Sequence, residues 1–253
     1  MTKEMSLSDK FKSREAELRS VLPENKFYAI RLDGKAFHTF TKQYERPFDN
    51  RFMDSMDAAA QFVIDQVVTG ALLAYVQSDE ITVVFTDKTG KDTQLPFSGK
   101  VEKLLSVSAS AATGGFMKFD NATNGVPLFD ARFTLLEDLG EVLEYMTWRR
   151  LDAQKNSVSM AAETLFSHSE LKGVGTKERR ELLAGTDLER LPEGFYNGRL
   201  IVRRTEKKMV EFLDKRTNEM NSVLANVNTW ESVPATREAT EFEVGSLLRR
   251  LTR

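Results

Sequence analysis

The sequence predicts an α+β protein built on a ferredoxin-type antiparallel sheet, and the order of its segments carries that prediction. Over residues 1–136, strand-like and helix-like segments alternate as βαββαβ. This split βαβ order places both helices on one face of the sheet. From residue 137 the pattern becomes mostly helical. We therefore expect a mostly helical C-terminal region over residues 137–253, which forms one compact unit with the first region.

The first two elements are a buried strand and an amphipathic helix. Residues 26–32 are apolar and aromatic and stop at Asp33 and Gly34, which predicts a strand that ends in a tight turn. Over residues 49–68, apolar side chains recur on one face of a 3.6-residue period. This period is typical of a helix that packs on a sheet.

A hairpin, a second helix and a fourth strand follow. Residues 71–76 and 81–86 are strand-like, and the QSDE sequence between them is short enough only for a hairpin. A second helical stripe begins near Val101 and is expected to stop at the Gly-Gly pair of residues 114–115, before a strand over residues 128–136. Further along, residues 205–228 mix charged and apolar side chains, and we expect an amphipathic helix there.

The predicted topology brings acidic residues together. The first and third strands of such a sheet are antiparallel neighbours at its centre. Asp33 follows the first strand, and Asp79 and Glu80 precede the third, so all three should meet at one end of the sheet. Taken singly, an acid in a turn is usually a cap or a solvated side chain. Together, such carboxylates can hold two divalent cations for phosphoryl transfer.

Composition narrows the chemistry further. The chain has no cysteine and only two histidines, His38 and His168, which excludes a cysteine nucleophile and a histidine-rich zinc site. Carboxylates select hard cations such as Mg²⁺. No segment is typical of a signal peptide or a membrane helix, so we expect a soluble, cytoplasmic protein. The formal net charge of -2 leaves room only for a local basic groove that could bind RNA.

Two motifs resemble those of a known family. RLDGKAFHTF at residues 31–40, with QSDE at 77–80 before the strand ITVVF, closely resembles the paired motifs of tRNA(His) guanylyltransferases and related 3′-to-5′ RNA polymerases. Weaker similarity continues through RPFDN, WRRLD and YNGRLIV, so it spans most of the chain. The resemblance implies a polymerase-palm-like catalytic region over residues 1–136. It also implies nucleotide addition to the 5′ end of tRNA or tRNA-like RNA, with activation of that end by ATP or GTP and then attack by the 3′-hydroxyl of a nucleoside triphosphate.

The resemblance further implies roles for individual residues. Asp33, Gly34 and Asp79 would hold two Mg²⁺ ions, Glu80 would support the site, and Arg46 would act in activation in place of the lysine common in the family. The residues expected to line the nucleotide are Asp33, Gly34, Lys35, Ala36, Phe37, His38, Ser78 and Asp79. The equivalents of RNA-binding or phosphate-binding residues are Lys103, Arg132, Asn156 and Arg179. The family also implies a homo-oligomer, either a dimer or a tetramer.

One segment departs from the family pattern. Members that recognise tRNA(His) carry a stretch like HINNLYN, which is QKNSVSM at residues 154–160 here. Gln154 replaces the histidine linked to the anticodon, and Asn156 is kept. The departure favours the repair-type branch, which rebuilds 5′-truncated RNA, over addition of a single G to tRNA(His), which stays the alternative.

Other interpretations of the same residues remain open. A palm could instead make cyclic nucleotides, and a ferredoxin-like sheet could serve as a non-catalytic RNA-binding module, although no RNP-like motif supports the latter. Trp148 with Arg149 and Arg150 combines a stacking ring with side chains that pair with phosphate. A buried tryptophan explains these residues equally well.

Overall fold

The computed structural model of the protein describes residues 5–89, 93–121 and 125–251. Within these ranges one antiparallel sheet has six strands: β1 (Phe27–Gly34), β2 (Ala71–Gln77), β3 (Glu80–Thr86), β4 (Phe129–Leu136), β5 (Arg199–Asp214) and β6 (Glu219–Pro234). Their spatial order is β4-β1-β3-β2-β5-β6. The predicted fold class is confirmed, and β1 and β3 are antiparallel neighbours as expected.

Helices cover both faces of this sheet. Their bounds are α1 (Leu7–Ala16), α2 (Phe37–Phe40), α3 (Asn50–Gln66), α4 (Val101–Phe119), α5 (Leu139–Leu165), α6 (His168–Leu171), α7 (Thr176–Leu182), α8 (Glu193–Tyr196) and α9 (Arg237–Leu251). The predicted helices at residues 49–68 and 101 onward correspond to α3 and α4. Within the described ranges, no helix is both long enough and apolar enough to cross a bilayer.

The alternation of side chains along β1 explains why its sequence is a continuous apolar run. Tyr28, Ile30 and Leu32 enter the core that the sheet forms with α3 and α4. Phe27 and Ala29 enter the core on the opposite face, which α5 and α9 cover. A strand buried on both faces has no reason to alternate apolar and polar residues.

The end of α4 differs from the sequence expectation. The helix continues to Phe119 rather than stopping at the two glycines. A Cβ at Gly115 would lie 2.6 Å from the Cβ of Phe62 and 3.0 Å from the Cα of Ala59. Gly115 therefore lets α3 and α4 cross closely, and its role is helix packing rather than helix termination.

The segment at residues 205–228 is a β-hairpin, so the predicted amphipathic helix is wrong. β5 and β6 pair over their whole lengths, whereas β2 pairs only with residues 199–202 of β5. Residues 203–230 therefore form a two-stranded extension of the sheet, which we call the hairpin arm. Its turn includes Asn218, which has a φ of 58°. Asparagine tolerates this left-handed conformation, and the mixed pattern of charged and apolar residues suits a period of two as well as a helix. The region boundary at residue 137 stays a proposal.

Candidate active site

Three acidic residues meet at one end of the sheet, where β1 finishes and the β2–β3 turn begins. Asp33 lies directly opposite Glu80 in the β1–β3 register. The amide N–H of Gly34 donates to the carbonyl oxygen of Asp79 at 3.1 Å. The topology expected from the sequence therefore does bring residues 33, 79 and 80 together.

The backbone at this end of the sheet is tightly packed around Gly34. A Cβ on Gly34 would lie 2.4 Å from Cδ2 of Phe37 and 2.8 Å from Oδ2 of Asp79. Ser78, in the two-residue turn between β2 and β3, has a φ of 44° and an exposed side chain. The absence of a side chain at residue 34 thus allows the Asp79 carboxylate to lie against the end of β1.

The charges of Asp33 and Asp79 oppose each other. Burial, followed by the nearby charge of Asp33, raises the pKa of Asp79 to about 6. Across the described chain, no arginine or lysine lies within 4 Å of the Asp79 carboxylate. Asp33 is half-exposed and its Oδ2 lies 3.9 Å from Nη2 of Arg132, which pairs more closely with Asp130. A cation bound between Asp33 and Asp79 would relieve this repulsion.

The oxygen atoms at this site suit a hard cation that takes its remaining ligands from water and substrate phosphates. In the described part of the chain, no group of three or more His, Asp or Glu side chains could hold a metal ion. Asp33 and Asp79 could offer carboxylate oxygens to such an ion, and Gly34 is the residue that separates Asp33 from the turn toward α2. Mg²⁺ is usually held by one or two carboxylates together with water and substrate phosphates, so these residues fit it.

Glu80 faces a different environment from Asp79. Its side chain is buried, and both of its carboxylate oxygens accept hydrogen bonds from Arg149, from Nε at 2.7 Å and from Nη2 at 2.5 Å. Burial opposes the charge of Arg149, but the bonds to Glu80 hold the pKa of its guanidinium above the ordinary value. Nη1 of Arg31 lies 3.8 Å from Glu80. Glu80 is therefore ion-paired, whereas its neighbour Asp79 has no ion-pair partner among the residues that the structure describes.

A first cavity of about 350 Å³ opens on one side of Asp79. Its walls include six residues that matter for the site: His38, Arg46, Phe48, Ser78, Asp79 and Phe195. The rings of Phe48 and Phe195 lie 5.3 Å apart, and the side chains of His38 and Arg46 are exposed. The volume lies within the range of small-molecule sites, so the cavity combines acidic, basic and aromatic surfaces around space for a ligand.

The residues after Gly34 turn away from the sheet toward this first cavity. Lys35 and Ala36 are exposed, and Ala36 has a φ of 55° at the start of α2. The ring of Phe37 is buried against Phe129, with centroids 5.1 Å apart, and also forms part of the cavity wall. Of the predicted nucleotide-lining residues, Phe37 is thus mainly a core residue that fixes the turn.

A second cavity, of about 460 Å³, lies on the α5 face of the same acids. Its walls include Asp33, Asp79, Arg31, Arg149, Asp152 and Asn156. The two cavities share Ser78, Asp79 and Met160. Asp79 therefore faces both spaces, and Asn156 lies across the second cavity from the acids.

The remaining residues implied by the resemblance are more dispersed. Arg132 lies next to Asp33, whereas Lys103 is exposed on the first turn of α4. A 19-residue helix is about 28 Å long, and the far end of α4 is the one that leads to the acids, so Lys103 is remote from them. Arg179 on α7 is ion-paired with Glu163 at 3.0 Å, and Glu163 lines the first cavity.

Trp148 and Arg199 lie in environments that the sequence does not indicate. Trp148 is 53% exposed, so the buried-tryptophan alternative is wrong, while Arg149 beside it is buried. Arg199 lines the first cavity and forms a buried ion pair with Asp57, at 2.7 Å. Asp57 and Arg199 are 142 residues apart in sequence, so no local pattern signals their pairing.

Comparison with known sequences decides the family. A sequence model of tRNAHis guanylyltransferase matches residues 9–137, which is about half of the chain. The chain belongs to the tRNAHis guanylyltransferase family. Two members of this nucleotidyltransferase family illustrate the likeness. The tRNA(His) guanylyltransferase of Candida glabrata is 29% identical over 74% of this chain and 87% of its own length. That of Schizosaccharomyces pombe is 35% identical over 67% of this chain and 64% of its own length.

Solved structures of the family share the fold. A bacterial tRNA(His) guanylyltransferase-like protein in complex with ATP superposes with a TM-score of 0.78 at 29% identity, over 95% of this chain and 98% of that one. The corresponding GTP complex gives a TM-score of 0.75 at the same identity, over 95% and 99%. The likeness therefore extends beyond residue 137 to nearly the whole chain.

Proposed function

We propose that this family member is a Mg²⁺-dependent nucleotidyltransferase that adds nucleotides to the 5′ end of tRNA or tRNA-like RNA in the 3′-to-5′ direction. The observation that carries the proposal is the meeting of Asp33 and Asp79 at the second cavity, with Asp79 also lining the first. Similar proteins with ATP and GTP bound support nucleoside triphosphates as ligands. Either triphosphate would serve to activate the 5′ end.

In this proposal, the residues at the end of the sheet bind three different components of the reaction: the metal ion, the nucleotide and the RNA. Mg²⁺ held by Asp33, Asp79 and the carbonyl of Gly34 would lower the pKa of the attacking hydroxyl and neutralise charge on the phosphates. The first cavity would take the nucleotide, with Arg46 near its phosphates and His38 and Ser78 in the wall. The backbone of residues 35–37 would border the phosphates. Asn156 and Arg132 would contact RNA on the α5 side, with Lys103 and Arg179 as more distant contacts.

The repair-type reaction is the finer part of the proposal. Gln154 donates from Nε2 to the side-chain oxygen of Asn197 at 2.8 Å, so it is engaged within the protein. An amide side chain in that position differs chemically from the anticodon-linked histidine, since it has no imidazole ring and no charge. We therefore favour templated extension of 5′-truncated RNA over addition of one G to tRNA(His). The cytoplasm is the proposed compartment.

The test is extension of labelled 5′-truncated tRNA by purified protein with Mg²⁺, ATP and the four nucleoside triphosphates. We expect lengthened products from the wild type, and none from Asp33→Ala or Asp79→Ala, because either change removes a metal-binding carboxylate. Asp54→Ala is the matched control, since Asp54 is an exposed acid on α3 that lines neither cavity. No lengthened product with any of several tRNAs would refute the proposal.

The same assay separates the other interpretations. A single G added only to tRNA(His) would favour the alternative guanylyltransferase reaction. Cyclic products from nucleoside triphosphates alone, seen by mass spectrometry, would indicate a cyclase. RNA binding that survives loss of both Asp33 and Asp79, without turnover by the wild type, would indicate a non-catalytic binding module.

We also propose that the protein is a homo-oligomer, a dimer or tetramer, which the hairpin arm helps to form. An isolated two-stranded hairpin is marginally stable in water, so the arm would gain stability from a partner. The outer half of the arm also exposes large apolar side chains, each at least 45% exposed, namely Met209, Phe212, Leu213, Met220, Val223 and Leu224. They occupy both faces of the arm. Met209 and its cross-strand partner Leu224 lie on one face, whereas Phe212, three residues further along β5 and opposite Asn221, lies on the other. Contacts with another copy would remove this apolar surface from water.

Light scattering tests this part of the proposal. Met209→Lys combined with Leu224→Lys is expected to lower the measured mass toward that of one chain, because it places two charges on one face of the arm. Leu18→Lys is the control, since Leu18 is 87% exposed outside the arm. A wild-type mass of one chain would refute the oligomer, and an unchanged mass for the double variant would refute the role of the arm.

A further inference from the structure

The ion pair between Glu80 and Arg149 occupies the carboxylate next to Asp79. The geometry is bidentate, with Nε bonded to Oε1 at 2.7 Å and Nη2 bonded to Oε2 at 2.5 Å. Arg149 is only 4% exposed and Glu80 only 6%. Such a fork fixes the orientation of a carboxylate as well as its charge. Both Glu80 oxygens are therefore directed at α5 rather than at Asp33 and Asp79.

Arg149 also connects the acids to the next turns of α5. Its Nη2 donates to Oδ2 of Asp152 at 3.0 Å, and the same oxygen accepts from Nδ2 of Asn156 at 3.4 Å. Asp152 and Asn156 line the second cavity opposite Asp33. A continuous set of hydrogen bonds thus runs from the residue after Asp79 to the helix that forms the other wall.

The charge balance explains why this connection matters for the acids. Asp33 and Glu80 are cross-strand neighbours, and like charges directly opposite each other destabilise a sheet. Arg149 compensates Glu80 at close range, whereas Arg31 is more distant at 3.8 Å. Arg149 therefore compensates the Glu80 charge on the α5 side, away from Asp33 and Asp79.

We propose that Arg149 is a positioning residue for nucleotidyl transfer, which holds Glu80 against α5 and so fixes α5 against the acid-bearing turn. The proposal rests on the proposed function and adds a role for Glu80 that depends on Arg149. In this proposal Asp33 and Asp79 bind the metal ion, whereas Glu80 holds the turn that carries Asp79 in place through its bonds to Arg149. The proposal also makes the distance between Asp79 and Asn156, across the second cavity, depend on one guanidinium.

The experiment compares Arg149→Lys with the double variant Glu80→Gln/Arg149→Met. Arg149→Lys keeps the charge and loses the fork, whereas the double variant removes both charges and leaves no buried ion unpaired. Arg204→Met is the matched control, because Arg204 forms a bidentate pair with Glu243 that lines neither cavity. Melting temperature, calorimetric Mn²⁺ affinity, kcat and KM for ATP are measured for each.

For Arg149→Lys and the double variant, we expect Mn²⁺ affinity and kcat to fall about 10- to 100-fold, as changes next to metal ligands typically cause. The KM for ATP should stay close to that of the wild type, because the first cavity does not include Arg149. The double variant should melt near the wild-type temperature and still be slow. Arg204→Met should keep wild-type affinity and kcat.

A purely structural role for Arg149 predicts a different result. In that case, the double variant would regain wild-type Mn²⁺ affinity and kcat together with its stability, and this outcome would overturn the proposal. Wild-type values in Arg149→Lys would overturn it too. The Mn²⁺ titration needs no turnover, so a wild type that binds Mn²⁺ but extends no RNA would refute the proposed function and leave the positioning proposal to be judged by metal affinity.

Discussion

A methyl group at residue 34 tests the packing at the acid-bearing end of the sheet. In Gly34→Ala the new Cβ would lie 2.4 Å from Cδ2 of Phe37 and 2.8 Å from Oδ2 of Asp79. Carbon atoms normally approach to about 3.5–4.0 Å, so the neighbours must move by about 1 Å. Phe37 is packed on Phe40 and Phe129, with ring centroids 5.1 Å away in each case, and cannot move freely. The Asp79 carboxylate must move as well.

The expected consequences affect both stability and turnover. Overpacking of this kind costs about 1–3 kcal/mol, and each kcal/mol lowers the melting temperature by about 2–4 °C in a chain of this size. We therefore expect Gly34→Ala to melt about 2–12 °C below the wild type. A displacement of about 1 Å at a catalytic group can reduce turnover about 100-fold. The assays are differential scanning fluorimetry and extension of labelled RNA at a temperature where the variant is folded.

Gly70→Ala is the matched control, because a Cβ there would meet nothing within 4 Å. It should melt and turn over like the wild type. If Gly34→Ala keeps both the melting temperature and kcat of the wild type, the close packing of Gly34 against Asp79 does not constrain the site, and our account of this glycine is wrong.

Three further changes test other parts of the structure. Gly115→Ala should cost about 1–3 kcal/mol through the close helix crossing, whereas Gly114→Ala should be neutral or stabilising by up to about 1 kcal/mol, as chemical denaturation would measure. Asp120→Asn should destabilise the protein at pH 7, but less so as the pH falls below 3.8. Burial opposes the Asp120 charge, yet hydrogen bonds led by Arg51 lower its pKa, so its contribution is present above the ordinary value and lost in acid. Asp79→Asn should stabilise the metal-free protein by at most about 3 kcal/mol at pH 8 and not at pH 3.5, because a pKa raised to about 6 makes the ionised form costly above that pH. Melting curves recorded with a chelator measure the effects of Asp120→Asn and Asp79→Asn. Added Mg²⁺ should then raise the melting temperature of the wild type but not that of Asp79→Asn.

The sequence was sufficient to predict the central strands and the meeting of the acids. The runs at residues 26–32 and 71–86 are long, apolar and interrupted only by a turn, so strand type and hairpin connection follow from local pattern. Topology then places Asp33 beside Glu80 without any knowledge of side-chain packing. The resemblance supplied what topology lacked, namely the reaction in which such acids would take part.

Other features depend on contacts that no local pattern records. Gly115 is a helix breaker by propensity, but it lies where α3 leaves no space for a Cβ, and that crossing is a tertiary fact. The hairpin arm has mixed periodicity, and the turn-favouring Asn218 was the sequence signal that could have distinguished two strands from a helix. The pairing of Glu80 with Arg149 spans 69 residues, so only the fold reveals it.

The strand period explains why adjacent acids at the β2–β3 turn have opposite environments. Ile81 of β3 enters the core under α3 and α4, so Glu80 projects toward α5, on the same face as its cross-strand neighbour Asp33. Two like charges on one face require compensating cations from the element that covers that face, and α5 supplies Arg149. Asp79 belongs to the turn and lies outside this alternation. It therefore remains without a basic partner among the described residues, and a metal ion is the compensation that its position favours.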